Sequence, residues 1–333
     1  MHRSQLKLKH MRLKFFLYFT AIIALVGCKA QKQASDSNSA SDSATATAVV
    51  DFNGNNAYNL VKAQCDFGPR VPGTTAHSKC AEWLEQQLRD YCDSTIVQEA
   101  QVTTFDGTTL NIKNLIGSIN PDADNRILLL AHWDCRPWAD NDPDPAKHKE
   151  PVMGANDAAS GVAVLLELAR VMNNKKPTVG VDILLTDAED WGTNNVEESW
   201  ALGTQYWAKH PHVEGYSPRF GILLDMVGAK GAKFSKEIQS MQYAPSVVNE
   251  VWDMAQQSGY GSYFDNNAGG AITDDHIVVN QMGIKCIDII DMRQGGDTGF
   301  FDGWHTTGDT LDKIDPTVLK VVGQTVANVI YSY

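Results

Sequence analysis

The chain has 333 residues, of which 43% are hydrophobic and 20% are charged, and its formal net charge is −12. This length allows a large buried core, and the composition is that of an ordinary globular protein. Residues 1–27 contain five Lys or Arg and no acid, so the rest of the chain carries −17. That charge argues against nucleic acid as a partner and against electrostatic binding to a membrane.

The first 27 residues have the organisation of an export signal. A basic start precedes the apolar segment FFLYFTAIIALV, which is too short for a stop-transfer helix, and Met11 is as good a start as Met1. The tetrapeptide LVGC that ends at Cys28 resembles the bacterial lipoprotein signal, in which the cysteine is lipidated. A plain signal peptide or an anchor helix is the alternative. The resemblance implies an exported lipoprotein, facing the periplasm or the cell surface, with membrane contact only through a lipid on Cys28.

Residues 28–49 are rich in Ser, Asp and Ala and contain almost no large apolar side chain. Such a segment cannot bury a core and is predicted to be a flexible tether. Residues 50–333 show no repeat and no second linker, and we expect one catalytic domain that is a monomer. The five cysteines after Cys28 are odd in number and lack CxxC spacing, which argues against a disulfide framework and leaves room for one bridge.

Apolar, β-branched runs alternate with helical patterns along this domain. The predicted strands are 114–119, 126–132, 181–186, 220–226 and 285–291. The predicted helices are 77–91, 160–172, 244–259 and 315–333. This alternation predicts a single α/β domain with a central, mostly parallel mixed sheet and helices on both faces. Functional sites of such folds form at the carboxyl ends of the strands.

Acids and histidines stand where these predicted strands end. They are His132 after the second strand, Asp157 before an apolar helix, Asp187, Glu189 and Asp190 after the third strand, Asp225 at the end of the fourth, and His305 after the last. Each acid alone is more often a helix cap than a ligand. Gathered at one edge of a sheet, however, several carboxylates and one or two histidines suit Zn²⁺, whose charge offsets their mutual repulsion.

The order HWD, GANDAASG, acid pair, strand-end Asp and late His resembles the zinc aminopeptidase superfamily. Four further features resemble the glutaminyl cyclases (glutaminyl-peptide cyclotransferases) within it. These are FGPRVPGT at 67–74, the pair Glu189-Asp190, DDH at 274–276, and Trp304 directly before His305. The resemblance covers roughly residues 55–330 and implies conversion of the N-terminal glutamine of peptides or proteins to pyroglutamate, with release of ammonia.

The resemblance also implies a role for each matching position. One zinc ion per chain is expected, bound by Asp157, Asp190 and His305. Glu189 is the expected general acid and base, and Asp225 and Asp274 form a hydrogen-bonded acid pair beside it. Trp304, and less directly Trp191, wall the substrate pocket. The animal enzymes have Glu where this chain has Asp190, and they have a cystine near the site where Cys135 has no evident partner.

Two other functions fit part of the pattern. In a zinc aminopeptidase, His132, Asp157 and Asp225 hold a second metal and Glu189 activates water. The cyclase interpretation instead commits Asp225 to Asp274 and leaves His132 to Asp134 or its neighbours. A non-catalytic binding lipoprotein of the same fold is the third possibility, although Glu189 and all three zinc positions are intact.

Overall fold

The computed structural model describes residues 50–194, 196–293 and 299–333. The predicted signal peptide at 1–27 and the predicted tether at 28–49 lie outside these ranges and stay predictions. All of the described residues belong to one compact unit of the chain. None of the helices in these ranges combines the length and the apolar character that crossing a bilayer requires.

A six-stranded sheet runs through the centre of the fold in the order β1-β2-β4-β3-β5-β8, and β6 and β7 form a small separate sheet. The strands are β1 (Ser94–Thr103), β2 (Thr109–Ile119), β3 (Arg126–His132), β4 (Gly180–Thr186), β5 (Gly221–Asp225), β6 (Phe234–Lys236), β7 (Phe264–Ala268) and β8 (Cys286–Ile290). In the large sheet β3, β4, β5 and β8 are parallel neighbours, whereas β1 and β2 form an antiparallel hairpin at one edge.

Helices cover both faces of the sheet. They are α1 (Gly54–Cys65), α2 (Thr75–Tyr91), α3 (Ala159–Asn174), α4 (Leu202–Lys209), α5 (Ile238–Tyr243), α6 (Pro245–Gln257), α7 (Asp275–Gln281) and α8 (Pro316–Ile330). Alternate residues of β3 divide between the two faces, because Leu129 joins the core under α3 while Leu128 and Leu130 join the core with Trp207 of α4. The predicted α/β architecture is confirmed.

The predicted elements recur with small shifts in their ends. The predicted helix 244–259 corresponds to α6, which begins one residue later because Ala244 separates α5 from α6 and Pro245 occupies the first turn of α6. Strand β1 was missed because its residues alternate between exposed and half-buried at the sheet edge, which leaves little apolar signal. The five described cysteines are all free thiols.

The register of the parallel strands sets the position of the site. His132, the last residue of β3, is paired with Thr186, the last residue of β4. The loops that follow these two strands therefore leave the sheet side by side, next to the end of β5 at Asp225. This edge is where the predicted site residues meet.

Candidate metal and catalytic site

Five buried side chains gather at this edge and form two groups that share Asp157. The first group is Asp157, Asp190 and His305; the second is His132, Asp157 and Asp225. Within each group one ligand atom per residue lies within 4.8 Å of the others. We refer to them as cluster A and cluster B.

In cluster A, His305 Nε2 lies 3.2 Å from Asp190 Oδ1 and 3.7 Å from Asp157 Oδ2. In cluster B, His132 Nε2 lies 3.0 Å from Asp157 Oδ1 and 3.4 Å from Asp225 Oδ1. Both clusters thus offer nitrogen and oxygen ligands of the kind that zinc accepts.

The carboxylates of both clusters retain unused acceptor atoms. Asp190 Oδ2 is buried and accepts no hydrogen bond from the described residues. Asp225 Oδ1 has only the ring nitrogen of His132 at 3.4 Å, which is beyond ordinary hydrogen-bond length. Buried carboxylate oxygens without donors are costly unless a cation binds them. The residues present therefore fit a divalent metal such as zinc.

Asp134 binds the backbone of the acid pair Glu189-Asp190. The two carboxylate oxygens of Asp134 accept hydrogen bonds from the backbone N–H groups of Glu189 and Asp190, at 3.0 and 3.2 Å. Ala188, directly before the pair, has a left-handed φ of 52° that turns the chain sharply after β4. The fixed backbone directs both acids into the site in spite of their repulsion.

Asp187, the first acid of the TDAEDWG stretch, has a structural role. Its carboxylate contacts His77 Nε2 at 2.9 Å and accepts the backbone N–H of Lys113 at 2.7 Å. These contacts join α2 and β2 to the end of β4. Asp187 thus belongs to neither cluster.

Arg136, which the sequence analysis missed, links two of the cluster A ligands. Its guanidinium is buried and donates to the carboxylate of Asp190 at 3.2 Å and to its backbone carbonyl at 3.1 Å. The same group donates to both oxygens of Asp140 at 2.7 and 2.6 Å, and Asp140 Oδ1 lies 3.7 Å from His305 Nδ1. One fixed fork thus orients Asp190 and places the Asp140 carboxylate near His305.

The segment that contains Asp157 is held by two buried charged residues. Arg70, from the GPRVPG motif, donates to the carbonyl oxygens of Met153 and Gly154, the second at 2.7 Å. Asp309 accepts the backbone N–H groups of Asn156 and Asp157 at 2.8 and 3.0 Å. Arg70 and Asp309 therefore fix the segment that contains Asp157 although neither supplies a ligand.

Glu189 and Asp274 are buried acids with altered proton affinity. Burial, followed by the charge of Asp274, raises the pKa of Glu189 well above its ordinary range. Burial, followed by the charge of Asp225, does the same to the pKa of Asp274. Asp274 also accepts the N–H of Asp275 and caps α7. The effect of the Asp225 charge on Asp274 shows that the two acids are neighbours, and the hydrogen bond predicted between them stays a prediction.

A cavity of about 1130 Å³ opens above the acids and exposes all three members of cluster A, together with Glu189, Asp225 and Asp274. His132 of cluster B is absent from its wall. The aromatic wall is formed by Trp200, Phe300 and Trp304.

Trp304 and Trp200 both stack against His305. The ring of Trp304 lies 3.9 Å from that of His305, and the ring of Trp200 lies 6.2 Å away on near-parallel planes. Arg136 lies 5.1 Å from the centre of the Trp200 ring, which connects the cavity wall to the ligands. Trp200 was missed because it follows Asp190 through an irregular segment with no periodic pattern.

Trp191, predicted as a second pocket wall, is not among the residues that line the cavity. It packs against the apolar cluster of Leu110, Ile112, Ala188 and Leu202. Its ring also meets Trp138 edge to face at 5.6 Å. On these contacts its position fits packing better than substrate binding.

Comparison with known proteins places this architecture in a family. Peptidase family M28 matches residues 114–330, which include all members of both clusters. The chain belongs to this family. The zinc exopeptidase-like fold predicted from the sequence is thereby confirmed.

Relatives within M28 carry two kinds of description. A glutaminyl cyclase from Bacteroides thetaiotaomicron is 48% identical, with a TM-score of 0.83 over 85% of this chain and 99% of that one. A Zn-dependent exopeptidase from Parabacteroides distasonis is 50% identical, with a TM-score of 0.84 over 86% and 100%. A glutaminyl-peptide cyclotransferase from Drosophila melanogaster is 27% identical over 74% of this chain and 72% of its own length. The predicted resemblance to glutaminyl cyclases is confirmed.

Proposed function

We propose that this M28 protein is a zinc-dependent glutaminyl-peptide cyclotransferase acting on peptides or proteins with an N-terminal glutamine. The observation that carries the proposal is the joint exposure of Glu189, cluster A and an aromatic wall in one cavity. Intramolecular cyclisation needs three parts: metal ligands, a group that transfers protons, and a wall that holds the substrate folded.

Asp157, Asp190 and His305 are assigned to one zinc ion. A zinc ion held by these three residues would polarise the side-chain carbonyl of the glutamine and would stabilise negative charge on its oxygen. Arg136 and Asp140 hold two of the ligands in place, as residues behind a metal site commonly do.

Glu189 is assigned to proton transfer. It takes a proton from the substrate's α-ammonium, whose nitrogen then attacks the side-chain amide carbon. A bond forms between these two atoms, and the bond from that carbon to its original nitrogen breaks. Glu189 returns the proton to the departing nitrogen, which leaves as ammonia. The new lactam nitrogen loses its surplus proton, which leaves with the ammonia as ammonium, so the enzyme ends in its starting state. Proton transfer of this kind contributes about 10²–10⁴-fold.

The remaining assigned residues shape and support this reaction. Trp304, with Trp200 and Phe300, holds the glutamine side chain bent toward its own amine and excludes water, which the reaction does not need. Asp225 and Asp274 flank the proton-transfer group. Both are buried, and the charge of Asp225 helps to raise the pKa of Asp274.

A two-metal aminopeptidase is the second candidate, and cluster B is the observation that favours it. Its three residues approach one another as closely as those of cluster A. In that reaction Glu189 activates a water molecule that cleaves the first peptide bond. One M28 relative is described as an exopeptidase, so the family does not choose between the two reactions.

The decisive experiment is incubation of the purified protein with a Gln-initiated peptide, with separate assays for ammonia, pyroglutamyl peptide and free glutamine. We expect ammonia and pyroglutamyl peptide in equal amounts, and about 10²-fold slower formation of both with Glu189→Gln. Free glutamine with a shortened peptide would select the aminopeptidase. Neither product from zinc-loaded protein would favour the binding lipoprotein.

We further propose that the protein is exported and anchored through a lipid on Cys28, with 28–49 as its tether, and that it acts as a monomer. The support is the sequence pattern of residues 1–49 described above. Cys28→Ser should move the protein from the membrane fraction to the soluble fraction, while the same change at Cys65 in α1 should not. Unchanged membrane association would point to an anchor helix.

A further inference from the structure

The cyclase reaction proposed above uses only the first residue of a peptide, so the following residues must leave the cavity along its rim. Two depressions adjoin that rim. One is a groove of about 600 Å³ between α4, α5 and α7. The other, which we term the basin, has about 340 Å³ and is lined by Lys147, Lys230, Arg293 and Lys313 among others. An extended peptide covers about 3.3–3.6 Å per residue, so either could take several residues.

The groove is the more continuous with the cavity. Four residues line both: Glu197, Trp200, Thr273 and Asp274. Among the residues that the structure describes, the basin shares only Arg293 with the cavity, and the guanidinium of Arg293 is already bound to Asp291 at 2.8 Å. A peptide whose glutamine lies beside Glu189 thus has a wide border into the groove and a narrow, occupied one into the basin.

The floor of the groove is apolar and accessible. Tyr243 at the end of α5 is 45% exposed, and Ile277, Val278 and Met282 of α7 are half-buried. The polar side chains around them include Gln205 and Gln281. An exposed apolar strip with amide groups at its sides suits an extended peptide, because side chains find apolar contact and the backbone finds donors and acceptors.

The border between cavity and groove is marked by one side-chain hydrogen bond. Thr273 Oγ1 donates to Glu197 Oε1 at 3.2 Å, although the two residues are far apart in sequence. The bond is exposed, so it costs little to replace. A peptide N–H that crosses here can donate to the Glu197 carboxylate in place of the Thr273 hydroxyl.

We propose that this groove is an extended substrate subsite that binds the residues after the N-terminal glutamine and favours apolar side chains among them. The inference rests on the proposed cyclotransferase function. It adds a substrate class, namely Gln-initiated peptides with an apolar stretch directly downstream.

The test compares a Gln-Ala dipeptide amide with a Gln-Ala hexapeptide in which the third, fourth and fifth positions are each Leu or Phe. For the wild-type protein we expect kcat/KM for the hexapeptide to exceed that for the dipeptide by about tenfold, through KM. Tyr243→Ser combined with Met282→Ser should remove most of this gain and leave the dipeptide unchanged. Lys230→Gln, in the basin, is the matched control and should alter neither substrate.

Each result decides the inference. Equal kcat/KM for both peptides in the wild-type protein would overturn it, as would a full gain in the groove variant. Loss of the gain in Lys230→Gln would place the peptide in the basin instead. Unchanged dipeptide turnover in the groove variant shows that it is folded. Failure of the wild-type protein to cyclise even the dipeptide would instead count against the cyclotransferase itself.

Discussion

Clusters A and B share Asp157 and have similar ligand sets, yet their surroundings differ. Cluster A lies wholly on the cavity wall, with Arg136 beside Asp190 and two tryptophans stacked on His305. In cluster B, His132 does not line the cavity: its Nε2 faces Asp157 and Asp225, and its Nδ1 lies 3.4 Å from Asp134. Burial raises the pKa of Asp225 to about 6. Ligand spacing alone therefore offers two metal sites, whereas substrate access and supporting contacts favour cluster A.

The sharpest contrast between the clusters is expected from their histidines. His305→Ala should lose tightly bound zinc and reduce cyclisation by about 10³-fold or more, because the metal supplies several kcal/mol to the reaction. His132→Ala should keep its zinc and most of its turnover. Metal analysis after dialysis, beside the ammonia assay, checks both variants. Zinc loss from the His132 variant alone would reverse the ranking of the clusters.

Glu189 serves cluster A without being assigned as a ligand, which makes it separable from metal binding. Glu189→Gln keeps the shape of the side chain and removes its basicity, so turnover should fall by about 10²-fold with zinc content unchanged. Asp190→Asn should weaken zinc binding instead. Near-normal turnover of the Gln variant would remove Glu189 from the mechanism.

Arg136 tests whether the surroundings of cluster A matter beyond its ligands. Arg136→Met removes the fork that holds Asp190 and Asp140, and the zinc affinity should fall by about 10-fold or more. Arg136→Lys keeps the charge without the planar fork, and its zinc affinity should lie between those of the wild-type protein and Arg136→Met. Competition with a coloured chelator measures the affinity. The control is Arg89→Met, a change at an exposed residue of α2. An unchanged affinity in both Arg136 variants would show that these contacts only pack the site.

The smallest effects are expected at the aromatic wall. Trp304→Ala should raise KM and lower kcat, so that kcat/KM falls by about tenfold, since the substrate loses both contact and restraint. Trp191→Ala changes a ring outside the cavity and should alter kcat/KM by about twofold at most. Steady-state kinetics on one Gln-peptide compare the two. A larger loss of kcat/KM in Trp191→Ala than in Trp304→Ala would make Trp191 the substrate-binding ring and Trp304 the packing residue.

The sequence predicted the fold and the gathering of ligands because both follow from local signals. Continuous apolar runs mark buried strands, and the candidate ligands stand directly at their ends, as His132 and Asp225 do. Arg136 and Trp200 lie in irregular segments, and their partners are set by tertiary packing, so no local pattern marks them. For Trp191 the local pattern misled: its position next to the acid pair predicted a pocket wall. After the turn at Ala188, its side chain instead packs against an apolar cluster.

The central claim is that one zinc ion in cluster A is sufficient for cyclisation. Stepwise addition of zinc to metal-free protein, with cyclisation of a Gln-peptide followed at each step, tests it most directly. We predict that activity rises linearly and reaches its full value at one equivalent per chain. Activity that stays low up to one equivalent and rises only with the second would contradict this account and place the function in both clusters, as in a two-metal aminopeptidase.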